Sequence, residues 1–103
     1  MPQGPIPVAN TNLIPQGAKN TPNITTATLV KGTPGTLLSV AVITAGSAPG
    51  TINDVATVGG VATANQIGTI PTSVGVTEFK FPFTNGLVIT PGIGGQVVSV
   101  SWI

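Results

Sequence analysis

Asp54 and Glu78 are the only side-chain carboxylates in the 103-residue sequence, and Lys19, Lys31 and Lys80 are its only basic side chains. Two carboxylates held several ångströms apart can hydrolyse a glycosidic bond, one as acid and the other as base or nucleophile. Nothing in the sequence brings 54 and 78 together. Asn53-Asp54 reads as a turn, where an aspartate bonds nearby backbone. Glu78 stands two residues from Lys80 on one strand face, so a solvated ion pair is expected there. A calcium ion would need several oxygen ligands, usually more than one carboxylate, and Asn53 with Asp54 falls short of that set. His, Cys and Tyr are absent, and three lysines account for all the basic residues. The many Ser and Thr hydroxyls therefore lack the neighbouring base that activates a nucleophile. General acid–base catalysis lacks its usual tuned groups. No catalytic residue, cofactor site or metal site is expected, and a structural or binding role is.

The remaining motifs are weaker. Asn23-Ile24-Thr25 matches the glycosylation sequon, but such tripeptides arise by chance in a Thr-rich chain. Gly59-Gly60 and Gly92 to Gly95 lack the lysine and the strand-to-helix setting of phosphate loops, so turn geometry accounts for them. Trp102 is the lone tryptophan. A sugar-binding face uses several exposed rings, whereas the alternation of Phe79, Phe81, Phe83 and Trp102 fits a core better.

Charged residues make up 5% of the chain against a usual figure of about 25%. The polar surface must then consist of Thr, Ser, Asn, Gln and Gly, with little repulsion between molecules. Coverage by other subunits is the simplest expectation. Three scattered lysines cannot assemble a phosphate-binding surface, so no nucleic-acid partner is expected. No apolar run approaches the length of a membrane span. The first ten residues lack the basic and apolar regions of a Sec signal, so that export route is not expected.

Residues 1–23 hold Pro2, Pro5, Pro7, Pro15 and Pro22, which forbid a regular helix and favour extended backbone. Ile6, Val8, Leu13 and Ile14 are apolar anchors within this stretch. The segment reads as an arm that lies along a neighbouring subunit, with a β-domain over 24–103.

In that domain strands are expected at 24–30, 36–44, 51–55, 65–70, 76–81, 87–90 and 96–102, separated by Gly/Pro turns. Residues 56–65 read as a small-residue loop. The sequence 76–81 alternates strictly, and Asn85-Gly86 is a strong hairpin signal. The last three strands therefore read as an antiparallel meander. The fold class expected is an all-β antiparallel sandwich, or small jelly roll, of six to eight strands with an extended N-terminal arm. Its expected core is Leu29, Leu38, Val40, Val42, Ile52, Ile67, Ile70, Phe79, Phe81, Leu87, Ile89, Val98, Val100 and Trp102.

Several short elements occur in a recognisable order: Gly35-Thr36-Leu37, Val42 to Ser47, Gly50 to Asp54, Ala64 to Ile67, Ile70-Pro71, Phe81 to Val88, and Pro91 to Trp102. The stretch from Gly35 to Trp102 thereby resembles a group of small proteins of tailed bacteriophages, with one extra Gly in the last element. The resemblance implies a virion component, a head decoration or cement protein on the capsid surface, made in the bacterial cytoplasm. Its implied partners are the major capsid protein and further copies of itself, a trimer being favoured. A tail- or fibre-associated receptor- or carbohydrate-binding module is the alternative. The shared motifs are strand and turn residues and carry no mechanism of their own.

Overall fold

The computed structural model describes residues 17–103, so the expected arm anchors Ile6, Val8, Leu13 and Ile14 lie outside the described residues. Eight strands follow in order: β1 (Lys19–Ile24), β2 (Thr28–Lys31), β3 (Gly35–Thr44), β4 (Gly50–Asn53), β5 (Gln66–Ile70), β6 (Gly75–Phe83), β7 (Leu87–Thr90) and β8 (Val97–Trp102). The β4–β5 connection carries two single-turn 3-10 segments, Val58–Gly60 and Thr63–Asn65.

The strands form two antiparallel sheets, ordered β1-β8-β3-β6 and β2-β7-β4-β5. Pairing is nested: β1 with β8, β2 with β7, β3 with β6, β4 with β5. This is one long antiparallel ribbon rolled up on itself. Rolling adds the β3–β8 and β4–β7 contacts that close each sheet. Every connection except β4–β5 crosses to the other sheet. The result is a jelly-roll β-sandwich.

Between the sheets lie Ile24, Leu37, Val40, Val42, Ile52, Ile70, Phe83, Leu87, Ile89, Val98 and Val100. Each such fully buried aliphatic or aromatic side chain stabilises the fold by about 1.5–3 kcal/mol. Val30, Ile67, Phe79, Phe81 and Trp102 pack against them partly buried, with the Phe79 and Phe81 rings tilted 54° at 5.0 Å.

Five expectations need correction. Residues 24–30 are not one strand, because β1 ends at Ile24 and β2 begins at Thr28. Strand β1 also takes residues 19–23, assigned above to the arm, into the sheet. The terminal meander does not form, since β6 and β8 belong to one sheet and β7 to the other. Leu29 is 41% exposed, and Leu38 yields its core place to Leu37.

The reason for Leu37 is a bulge. Leu37 faces Trp102 and Ser39 faces Ser101, so β3 carries one extra residue against β8. Leu37 and Val40, three apart, thus both point inward, which strict alternation forbids. Strand β6 compensates with an irregularity of its own opposite Leu38, where Lys80 adopts φ 61°. A similar bulge in β1 gives Asn23 φ 57°, a conformation asparagine tolerates better than most residues.

Candidate functional site

Two polar side chains hold the ends of the roll. At one end the amides of Thr84, Asn85 and Gly86 donate to the Asp54 carboxylate at 3.0, 2.8 and 3.3 Å. The Thr84 hydroxyl lies 3.1 Å from Oδ2 of the same carboxylate. Asp54 follows directly on β4, and its partners form the β6–β7 crossing, so one carboxylate ties the two sheets together. Partial burial pushes the Asp54 pKa up. The amides of Thr84, Asn85 and Gly86 and the Thr84 hydroxyl outweigh this and hold it below the usual aspartate value.

At the other end Gln96 is buried. Its Oε1 accepts the Gly92 amide at 2.8 Å and its Nε2 donates to the Pro71 carbonyl at 2.8 Å. This links the β5–β6 and β7–β8 connections. Gly92 is needed there, because a Cβ would lie 1.8 Å from the Ala48 carbonyl oxygen.

These contacts assign the residues singled out from the sequence. Asp54 does bond backbone, but across a distance of 30 to 32 positions rather than within its own turn. Both its oxygens meet N–H donors, the wrong partners for a cation. Asn53 is buried on the side of its sheet away from the core, donating to Thr51 and to the Val88 carbonyl. Asp54 is bound just past the end of β6, whereas Glu78 lies six residues earlier, about 20 Å back along that strand, so 54 and 78 make no carboxylate pair. Among the described residues no ion pair joins Glu78 to Lys80, whose backbone turns aside at the bulge. No three His, Cys, Asp or Glu side chains group together among the described residues.

The aromatic rings are structural as well. Phe83 is 1% exposed. The Trp102 indole N–H donates to Thr21 Oγ1 at 2.9 Å, and the Lys31 ammonium lies 5.7 Å from its ring centroid. No helix among the described residues is long and apolar enough to cross a membrane.

What the surface does offer is aliphatic. Ile43, Val74, Val76 and Ile93 are 57, 65, 70 and 74% exposed. Val76 stands opposite Ala41 on paired β6 and β3, and Val74 and Ile43 lie just beyond the last pair of that ladder, Gly75 and Val42. Ile93 projects from the β7–β8 connection at the same end, its carbonyl accepting the Ser47 amide just beyond β3. In sequence, 36–44 is apolar on both alternating faces, which marks Ile43 for an outer contact, but Val74 and Val76 join it only through the pairing of β3 with β6.

Architecture and surface together define the class: an eight-stranded antiparallel jelly-roll sandwich with a charge-poor exterior. No protein-family model matches the chain, and no curated protein or solved structure matches it either.

Proposed function

We propose that this chain is a structural virion protein, a head decoration or cement protein that binds the outer surface of a tailed-phage capsid and bridges its subunits. The observation that carries the reading is the exposed aliphatic patch of Ile43, Val74, Val76 and Ile93 on a molecule with only five charged side chains. Large exposed apolar side chains gathered at one end of a sheet are characteristic of protein contact sites. The motif resemblance over 35–102 supplies the virion context. In this role the chain is no enzyme and needs no cofactor. Its partners are the major capsid protein and neighbouring copies, with a trimer favoured at three-fold positions. Each copy adds contact area across a subunit boundary and so resists internal pressure.

The tightly held Trp102 and the buried Phe83 leave a sugar-binding platform without its rings. Particles assembled without the protein should lose heat and pressure resistance, and adding back the wild-type chain should restore it. Adding back a Val76→Lys, Ile93→Lys double variant should not. Unchanged resistance in the depleted particles would refute the cement role.

A further inference from the structure

A jelly roll of open sheets has four edge strands, and here they are β1, β6, β2 and β5. Unpaired backbone N–H and C=O groups on an edge are a template for another strand, and proteins guard such edges with proline, charge or bulges. Three of the four are guarded. Strand β1 carries Lys19, Pro22 and a bulge beside Asn23. Strand β6 carries Glu78, Lys80, Pro82 and its own irregularity. Strand β2 is four residues long, ends in Lys31 and shifts register before it.

Strand β5 differs. Gln66–Ile70 contains neither proline nor charge, and its one register shift lies at the Gln66 end, leaving 68–70 regular. Among the described residues it pairs with β4 alone. No charged residue occurs anywhere from Val55 to Thr77. That absence suits one occupant above others. In a two-fold contact each residue near the axis meets its own copy, so any charge there would repel itself.

We infer that β5 is a self-association edge, pairing antiparallel with β5 of a second copy so that the two four-stranded sheets become one continuous eight-stranded sheet. The occupant is an uncharged extended strand, and the second copy supplies one with matching length and chemistry. The contact does not rest on a place in a virus shell. It joins copies in pairs, whether as free dimers or between larger rings.

Light scattering on the full chain at micromolar concentration tests this. The wild type should show the paired mass. Thr69→Lys, at an exposed position of β5, should weaken pairing at least about tenfold while leaving the thermal unfolding of the dissociated chain unchanged. Amide hydrogen exchange on the unaltered protein gives a second reading: protection of residues 68–70 should rise with protein concentration. A wild-type chain that stays monomeric would overturn the inference. So would an oligomer whose mass Thr69→Lys leaves unchanged, or protection of 68–70 that ignores concentration.

Discussion

The carboxylate of Asp54 accepts the backbone N–H of Asn85 at 2.8 Å, joining the end of β4 to the β6–β7 crossing over 31 sequence positions. In a fold where nearly every connection leaves one sheet for the other, such a bond fixes how the sheets stack. Gln96 performs the same task among the connections at the opposite end. Two of the few strongly polar side chains in this sequence are therefore used for the frame.

Replacing Asp54 by Ala leaves the amides of Thr84, Asn85 and Gly86 without their acceptor. Water can reach the site, so the loss is smaller than for a fully buried carboxylate. Destabilisation of about 1–2 kcal/mol is expected in urea unfolding, with the slope against denaturant unchanged.

The same group sets an acid response. The folded-state pKa of Asp54 lies below its unfolded value, so the unfolded chain takes up the proton first as pH falls. Its contribution is complete above the unfolded value of about 3.9 and is lost as pH drops through the lower folded value. Unfolding free energies measured across this window should decline for the wild type. In Asp54→Asn that part of the decline should be missing.

Glycine substitutions should separate close approach from mere looseness. A Cβ on Gly86 would lie 2.7 Å from the Val55 carbonyl oxygen and 2.9 Å from that of Lys31. Gly86→Ala is expected to cost about 1–3 kcal/mol through overpacking. Gly59 has nothing within 4 Å of such a Cβ, so Gly59→Ala should shift the melting temperature little.

Thr90 offers a gain. Its hydroxyl is buried without a hydrogen-bond partner among the described residues. Thr90→Val removes a desolvated polar atom while nearly keeping shape, and should stabilise by about 1 kcal/mol in thermal unfolding.

These residues also show where the fold was legible from sequence. Val98, Val100, Val40 and Val42 alternate cleanly, and all four lie in the core. Leu37 was hidden because counting back by twos from Val40 reaches Leu38, while the β3 bulge brings Leu37 inward. Phe83 alternates with Phe79 and Phe81 as a core ring does, but lies beyond the expected strand because Pro82 reads as a strand stop, yet is tolerated on the edge strand β6. Val88 breaks the alternation of β7 because it is buried on the outer side of its sheet, opposite Asn53. Asn85-Gly86 carries the sequence signal of a hairpin, but neither residue takes the positive φ of a type I′ turn. Glycine is required at 86 because other backbone passes close by. Long-range closure of this kind leaves no local pattern. Ile43 shows in sequence as part of the second apolar face of 36–44, whereas Val74 and Val76 reach its neighbourhood only through the pairing of β3 with β6.

The central claim, the proposed structural role on a capsid surface, is tested most directly by counting copies of the chain in purified tailed-phage particles. Quantitative mass spectrometry against the major shell protein should find copies numbering in the hundreds, released together when the particle surface is stripped. A handful of copies that co-purify with tails, or none at all, would contradict it.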